Sequence, residues 1–492
     1  MKQEELLRER LKRYSASGTA AFHMPGHKRQ MECGLLRDFP NPFSIDITEI
    51  DGFDNLHHPE GILKDSMEWA AGVYGADHTY YLVNGSSCGI LSAIGAVMHP
   101  GETLLVSRNC HKSVYHGLIL NSLKPEYVYP QIIEKLGIQG GIKPEDVEKK
   151  LKEHPEIRSV LIVSPTYDGV VSDIRGIADV VHARGIPLIV DEAHGAHFAY
   201  GDAFPKSALE LGADAVIQSV HKTLPSLTQT ALLHVKNNRP DGGCYLDVKK
   251  VERYLQIYQS SSPSYVLMAS IENSIFLMDQ YRKEGKVAEF EAALLKIRKK
   301  LGKMKPLLLV ERDLRGTAGI FDVDISKIVV SVRGSGLTGE MLSQILRDKY
   351  HLEMEMTGGT YVLAMTTVAD TQEGLDRLKA ALLEIDGQLE AKTAVSGSIE
   401  ISGELPRLEQ YFIPQEAADR EEDGEAEEIP WKESEGHISL EYAYLYPPGS
   451  PVIVPGERIS REAVELLCYY ETQNLQIEGI QTEGKIKVWK HE

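Results

Sequence analysis

Residues 213–222, ADAVIQSVHK, decide the predicted fold of this chain. The segment 213–219 is short, apolar and partly β-branched, and a glycine precedes it, which predicts a buried strand. Lys222 follows close to the carboxyl end of that strand, where open α/β sheets bind their ligands. Partial burial and neighbouring cations can lower the pKa of such a lysine until it acts as a nucleophile. Because a single lysine is far more often an ordinary surface residue, its neighbours must decide between the two interpretations.

A carboxylate closes a second predicted strand upstream. Residues 185–191, GIPLIVD, form an apolar run too short for a helix, and it ends in Asp191. Asp191 precedes Lys222 by 31 residues (222 − 191), which leaves room for one crossover and a further parallel strand. The two side chains can then meet at neighbouring strand ends, although Asp191 could also simply cap the next segment. An imine-forming amine and a carboxylate that keeps a ring nitrogen protonated are what a protein needs to hold pyridoxal phosphate.

A phosphate-binding turn is predicted earlier in the chain. The apolar run Tyr80–Val83 predicts a strand, the sequence NGSS follows it, and residues 88–98 predict a helix. Free N–H groups at a helix start, together with the hydroxyls of Ser86 and Ser87, form an anion site. An ordinary capped helix is the alternative, because serine is a favoured N-cap. His111 follows another apolar run and could stack on a cofactor ring, although a lone histidine is more often a surface or structural residue.

A series of longer motifs surrounds these residues. In chain order they are FHMPGHK (22–28), DNLHHPEG (54–61), NGSS (84–87), NCHKS (109–113), SPTY (164–167), DEAHGAH (191–197), SVHKT (219–223), SSPSY (261–265), YPPGSP (446–451) and PGE (455–457). This ordered set resembles the Orn/Lys/Arg decarboxylase family, whose members are fold type I pyridoxal phosphate enzymes related in fold to aspartate aminotransferase. The resemblance covers nearly the whole chain.

The resemblance implies a fold and a cofactor. The expected fold class is α/β, with an aspartate aminotransferase-like large domain that contains a mostly parallel sheet, and a smaller α+β C-terminal domain. The expected cofactor is pyridoxal 5′-phosphate, and no metal is expected. By resemblance, Lys222 carries the cofactor covalently and Asp191 pairs with its pyridine nitrogen. His111 stacks on the ring, and His194 lies near the imine and the ring hydroxyl.

The resemblance also implies residues for the phosphate and for the substrate. The phosphate would be held by Ser86, Ser87, Ser219 and His221. Glu457 is the candidate for binding the distal cationic group of the substrate. Two positions depart from the family pattern: Asp168 stands where a second aromatic residue is usual, and Ser450 where an apolar residue is more common. We expect Asp168 to alter local contacts without abolishing the chemistry, and Ser450 to retune the pocket.

The implied activity is decarboxylation of a basic amino acid (lysine, arginine or ornithine) to the corresponding polyamine-pathway amine and CO2. An aminotransferase or a carbon–sulfur lyase on the same fold could use the same lysine and acid, and a catalytically silent regulator is the non-enzyme alternative. The PGHK and YPPG segments belong to the decarboxylases and favour the first interpretation. The residues do not choose among the three substrates, nor between Lys222 and His194 as the proton donor to Cα.

Composition bounds the function further. The 492 residues carry a formal net charge of −19, which disfavours nucleic acid as a partner and attracts small cations. No apolar stretch reaches the roughly 18–20 residues of a membrane span and no signal-like segment opens the chain, so a cytoplasmic location is expected. The five cysteines are scattered and form no metal-binding pair. The chain lacks the N-terminal wing domain of the inducible acid-resistance members, which predicts a biosynthetic role and a homodimer or an assembly of dimers.

Four regions are predicted along the chain. They are an N-terminal arm (1–50), a cofactor-binding large domain (51–300), a small α+β domain (301–415) and a C-terminal segment that completes the small domain (416–492). Further predicted elements are strands at 159–163, 327–332 and 361–365 and helices at 3–14, 174–182, 270–282, 286–300 and 338–350. The strongly acidic run 417–428 predicts a solvated linker.

Overall fold

Seven strands form one sheet at the centre of the chain. The structure is a computed structural model that describes residues 7–30, 39–239, 241–389, 405–445, 450–472 and 477–490. Numbered in chain order, the strands of this sheet are β2 (His78–Leu82), β3 (Thr103–Ser107), β4 (Lys124–Val128), β7 (Ile157–Val163), β9 (Leu188–Asp191), β10 (Ala215–Gln218) and β11 (Ala231–Val235). Their order across the sheet is β2-β11-β10-β9-β7-β3-β4.

The middle of this sheet is parallel and fully buried. Strands β4, β3, β7, β9 and β10 run parallel, whereas β11 pairs antiparallel with both β10 and β2. Every residue of β3, β9 and β10 is buried, as expected for strands that are covered on both faces. Asp191, the last residue of β9, lies opposite Ile217 of β10. The sheet thus sets Asp191 beside the strand that leads to Lys222.

Helices cover both faces of the sheet. Those of the large domain are α3 (Ile62–Tyr74), α4 (Gly85–Val97), α5 (Lys112–Leu120), α6 (Pro144–Glu153), α7 (Ile174–His182), α8 (Ala208–Leu211), α9 (Val220–Thr223), α10 (Val248–Tyr258) and α11 (Tyr265–Lys283), with short strands β5 (Ile132–Ile133), β6 (Ile138–Gln139) and β8 (Val170–Val171) between them. One apolar cluster packs α3, α7 and α11 against Val190 and Val216. A second packs α4, α5 and α10 against Ile189 and Ile217. The side chains of successive strand residues therefore pack into the apolar clusters on opposite faces of the sheet, as the two-residue period of a strand requires.

A second, smaller sheet follows the large domain. Its region comprises α12 (Lys286–Leu301), β12 (Leu308–Leu309), β13 (Asp322–Val323), β14 (Lys327–Ser331), α13 (Gly339–Tyr350), β15 (Leu352–Met354), β16 (Met356–Thr357), β17 (Tyr361–Met365) and α14 (Gln372–Gln388). The sheet is antiparallel with the order β12-β14-β17-β16. Of the N-terminal elements α1 (Leu7–Ser15), β1 (Ala20–Phe22) and α2 (Pro42–Ile45), β1 pairs with β15. The start of the chain is thereby tied to the small domain.

The C-terminal region corrects one prediction. Its elements are β18 (Glu409–Gln410), α15 (Pro414–Glu422), β19 (Ala426–Pro430), β20 (Ala443–Leu445), β21 (Pro451–Ile453), β22 (Glu457–Arg458), α16 (Arg461–Thr472), β23 (Ile477–Glu478) and β24 (Lys485–Trp489). The acidic run 417–428 was expected to be a solvated linker, and this is wrong, because α15 and β19 occupy most of it. Ala417 is fully buried in an apolar cluster with Phe412, and β19 pairs with β24. Within the described residues, no strand of this region joins the four-stranded sheet.

The other predicted elements agree with the structure. The strand predicted at 361–365 and the helix at 174–182 coincide with β17 and α7. Thr338 caps α13, since its hydroxyl accepts the N–H of Met341 at 3.2 Å.

The YPPG residues 446–449 and the first residues of the helix predicted at 3–14 lie outside the described residues. In the parts of the chain that the structure describes, no helix combines the length and apolarity of a membrane span. The four domain boundaries stay predictions.

Candidate active site

A cavity of about 540 Å³ opens at the carboxyl ends of β9 and β10. Seven of the nine predicted site residues line it: Ser86, Ser87, His111, Asp191, His194, His221 and Lys222. Ser219 and Glu457 are not among the described lining residues. The sheet topology thus gathers residues from separate motifs at the edge where ligands of α/β proteins bind.

Lys222 and His194 form a direct polar contact in this cavity. The one-turn helix α9 follows β10 and carries Lys222, whose Nζ lies 3.0 Å from His194 Nε2. Burial lowers the pKa of Lys222, against the opposing effects of Asp191 and Glu355. Burial, with Lys222 next, holds the pKa of His194 well below its usual range. His194 is therefore a neutral imidazole that accepts from the lysine through Nε2, which leaves the proton on its buried Nδ1.

Asp191 presents a carboxylate to the same cavity. Its Oδ1 accepts the backbone N–H of Ala193 at 3.1 Å, and the side chain is buried. Burial raises the pKa of Asp191, and the nearby Lys222 opposes that rise. Among the described residues no hydrogen bond engages Oδ2, so this oxygen is left for a ligand in the cavity. A cationic N–H is the partner that would favour its ionised form.

His111 contributes a neutral ring. It caps α5, and its Nδ1 accepts the backbone N–H of Ser113 at 3.2 Å and lies 2.9 Å from the hydroxyl of the same residue. Burial, and then the charge of Lys222, lowers the pKa of His111 to about 3. Since Nδ1 is an acceptor, the single proton sits on Nε2. An uncharged flat ring at the cavity wall is suited to lie against an aromatic ligand.

The start of α4 supplies an anion site. Gly85 adopts a φ of +75°, a left-handed conformation that glycine tolerates without strain, and its N–H donates to Gln229 O at 2.9 Å. Ser86 and Ser87 follow in the first turn, where backbone N–H groups have no partner within the helix. Nearby, the fully buried Ser219 hydroxyl has no hydrogen-bond partner among the described residues. His221 Nδ1 donates to Thr230 O at 2.8 Å, and burial lowers its pKa to about 4.

The two positions that depart from the family pattern take different places. Asp168 is buried, and burial raises its pKa to about 6 against the effects of Tyr361 and Lys327. Ser450 lines the cavity, and its hydroxyl donates to Asn109 O at 2.8 Å. Ser450 therefore joins the C-terminal region to the loop that precedes His111.

Two family profiles match the chain. The profile of the Orn/Lys/Arg decarboxylase major domain matches residues 6–374. The chain belongs to the Orn/Lys/Arg decarboxylase family. The C-terminal domain profile of the same family matches residues 404–484. Membership identifies the chain as a decarboxylase of basic amino acids and implies pyridoxal phosphate as its cofactor.

Individual relatives extend over most of the chain. An arginine decarboxylase of Bacillus anthracis is 33% identical over 97% of this chain and 96% of its own length. The lysine decarboxylase LdcA of Pseudomonas aeruginosa is 24% identical over 93% of this chain and 74% of its own length. A solved lysine decarboxylase A from Pseudomonas aeruginosa superposes with a TM-score of 0.76 at 21% identity, covering 98% of this chain and 80% of that one. A ureidoglycine-glyoxylate aminotransferase from Bacillus subtilis reaches a TM-score of 0.55 at 17% identity, over 76% of this chain and 95% of that one, which shows the fold alone.

Glu457 does not take the position expected of it. Its carboxylate is fully buried, Oε2 lies 3.1 Å from Nη2 of the equally buried Arg108, and the N–H of Val454 donates to the same oxygen at 2.8 Å. Burial raises the pKa of Glu457, and Arg108 opposes that rise. The carboxylate is enclosed within its own chain, so it cannot reach the distal cation of a substrate. The structure thus corrects the predicted substrate contact to a structural ion pair.

Removing this carboxylate is expected to destabilise the protein rather than weaken substrate binding. Glu457→Ala leaves Arg108 buried without its counter-charge, which costs about 3–5 kcal/mol. Urea unfolding checks the stability, and the apparent KM of the folded enzyme is expected to stay unchanged. The double variant R108M/E457M, which removes both charges, is expected to recover much of the loss. A normal unfolding midpoint with a raised KM would instead restore the substrate contact.

Sequence reasoning gave no role to Tyr167 and Glu355. Tyr167 lines the cavity, its ring centroid lies 4.5 Å from that of His194, and its hydroxyl donates to Glu355. Glu355 stands in no motif, and its partners Tyr167 and Met24 are 188 and 331 residues away along the chain. Contacts of such sequence separation leave no local signal, so only the fold reveals them.

Proposed function

We propose that the chain decarboxylates L-arginine to agmatine and CO2, with pyridoxal phosphate attached to Lys222. The observation that carries the proposal is the 3.0 Å contact between Lys222 Nζ and His194 Nε2, beside Asp191 at adjacent strand ends. Arginine is favoured over lysine because the relatives named arginine decarboxylase share more identity with the chain than those named lysine decarboxylase.

The residues of the cavity fit this cofactor. The first turn of α4, with Ser86 and Ser87, suits its phosphate, and the unpartnered hydroxyl of Ser219 supports a role there. Asp191 Oδ2 suits the ring nitrogen, and the neutral ring of His111 suits the ring face. When bound, the cofactor supplies a cationic ring that delocalises the electron pair left at Cα as CO2 departs.

Lys222 and His194 are assigned the proton that Cα takes up after CO2 leaves. A lowered pKa makes the protonated amine of Lys222 a stronger acid, and so a better donor. Its hydrogen bond to the neutral His194 orients that proton, because Nε2 accepts it at 3.0 Å. Lys222 Nζ is thus the proposed donor, and His194 its proton partner.

The cavity also supports a homodimer. Among the described residues that line it, Asp191 is the one carboxylate, so the guanidinium of arginine needs an acid from elsewhere. Ile62 and Trp69 of α3 and Phe276 of α11 are 55%, 37% and 57% exposed on one surface, and exposed apolar side chains of this size suit an interface. A two-fold dimer that covers this surface could complete the site from the partner subunit. Light scattering of the purified protein is expected to give twice the monomer mass. A cytoplasmic, polyamine-supplying role is part of this proposal.

Product analysis on arginine, lysine and ornithine tests the proposal. We expect CO2 release and agmatine from arginine, with kcat/KM at least about tenfold higher than for the other two, because a site built for a planar guanidinium rejects a point charge. No keto acid is expected, since amino-group transfer would produce one. Heat-inactivated protein is the blank. Equal rates on all three amino acids would overturn the choice of arginine, and keto acid without CO2 would overturn the decarboxylase.

A further inference from the structure

The carboxylate of Glu355 joins three parts of the molecule. It lies between β15 and β16, where its backbone N–H donates to Leu363 O at 2.9 Å. Its Oε2 accepts the backbone N–H of Met24 at 2.7 Å, and its Oε1 accepts the hydroxyl of Tyr167. Both partners line the cavity, although Glu355 itself does not. One small-domain side chain thus holds two parts of the cavity wall.

Tyr167 extends this contact to the reactive amine. Its ring lies against that of His194, with centroids 4.5 Å apart and planes at 52°. His194 in turn makes the 3.0 Å contact with Lys222 Nζ. The orientation of the imidazole therefore depends on where Tyr167 stands, and Glu355 sets that position through the phenol.

The N-terminal strap, residues 22–28, contacts the helix that carries Lys222. The N–H of Gly26 donates to His221 O at 2.7 Å, directly before Lys222, and Thr367 Oγ1 donates to Gly26 O at 2.7 Å. A Cβ on Gly26 would lie 2.4 Å from Leu224 O, so only glycine permits this approach. The bond from Met24 to Glu355 anchors the strap just before that point.

Glu355 is also the acid shared by three buried amines. Its charge favours the protonated forms of Lys28, Lys222 and Lys327, each of which burial alone would deprotonate more readily. Lys28 Nζ donates to His23 O and Met365 O at 2.9 Å each. Lys327 Nζ has no hydrogen-bond partner among the described residues. Each amine also lies near another acid, Asp370 for Lys28, Asp191 for Lys222 and Asp324 for Lys327, and Glu355 is the acid that all three share.

We propose that Glu355 is a positioning residue for the decarboxylation. It sets Tyr167 against His194 and holds the N-terminal strap against the helix that carries Lys222. This inference rests on the proposed function, because the role concerns the Lys222–His194 pair. It assigns no contact between Glu355 and substrate or cofactor.

Three variants separate the parts of this role. Glu355→Ala removes both hydrogen bonds. Glu355→Gln keeps an acceptor for Met24 and a polar partner for Tyr167 but removes the charge. Tyr167→Phe removes the phenol hydroxyl alone. Glu353→Gln is the matched control, because Glu353 lies two residues before Glu355, on β15, and pairs with the surface residue Arg347 at 3.2 Å.

Hydrogen exchange on the full-length protein gives a readout that does not need turnover. In E355A the amide of Met24 is expected to exchange at least about tenfold faster, because it loses its acceptor. E355Q, Y167F and E353Q are expected to keep its protection. Unchanged exchange in E355A would overturn the anchoring of the strap.

Kinetics test the positioning itself. E355A and Y167F are each expected to lower kcat by about 10- to 100-fold with little change in KM, since a small misplacement of a reactive pair has effects of this size. The double variant is expected to be no slower than the slower single variant, because both act through one contact. E355Q should fall between E355A and the unmodified enzyme, and E353Q should match the latter.

An active unmodified enzyme with equally active E355A overturns this inference. An unmodified enzyme inactive on all three amino acids overturns the proposed function instead, and leaves the exchange result standing.

Discussion

Lys222→Ala is expected to abolish decarboxylation, with kcat reduced by about 10⁴-fold or more. The variant loses the amine that attaches the cofactor and a positioned proton donor, and the donor alone is worth roughly 10²–10⁴-fold. Lys112 is the other lysine among the described lining residues, and it lies at the start of α5 rather than beside His194. Among the described residues that line the cavity, no second amine is therefore placed next to the imidazole.

Hydride reduction followed by peptide mapping checks this expectation. The native protein should carry the reduced cofactor on Lys222, and the K222A variant should carry none. K112A is the matched control, and its label should stay at position 222. A small primary amine such as ethylamine should restore part of the turnover of K222A, since the missing group is an amine. A label at any other lysine would contradict the assignment.

Asp191→Asn is expected to lower kcat by about 10²–10³-fold while cofactor attachment persists. Asparagine retains an oxygen for the N–H of Ala193, so the local turn is preserved. It lacks the charge that keeps a ring nitrogen protonated, and loss of one preorganised electrostatic partner has effects of this size.

Turnover of D191N is measured at saturating cofactor, with the reduced label as evidence of attachment at Lys222. D214N provides the comparison. Asp214 is equally buried and precedes β10, far from the cavity end, where it accepts the N–H of Leu188 at 2.8 Å. D214N should lose stability but keep its turnover per bound cofactor. Near-native turnover in D191N would contradict a role for Asp191 at the ring.

The large domain could be predicted from the sequence because its signals are local. Apolar runs such as residues 185–191 form buried strands wherever helices cover both faces, and parallel order then brings Asp191 beside Ile217. Lys222 and Asp191 reach one cavity for that reason alone. Thr338 likewise caps its helix through a contact three residues away.

The errors come from contacts that span the chain. Glu457 was predicted to bind the substrate, yet it pairs with Arg108, which is 349 residues away along the chain. The sequence around position 457 contains no pattern that predicts this ion pair. The acidic run 417–428 was interpreted from composition alone. Its helix packs through the buried Ala417 and through Arg420, which lies 3.7 Å from the ring centroid of Phe412, while Asp419 and Glu422 are exposed. Tyr167 and Glu355 were missed for the same reason as Glu457.

The N-terminal strap has a consequence for biosynthesis. Lys28 binds the carbonyl of Met365, 337 residues later in the chain. A ribosome that adds about 5–20 residues per second needs roughly 20–70 s to make that stretch. Until β17 has emerged, Lys28 lacks this acceptor and its amine remains hydrated. We therefore expect catalytic competence to arise late in translation, and stalled chains that end before β17 to retain cofactor poorly.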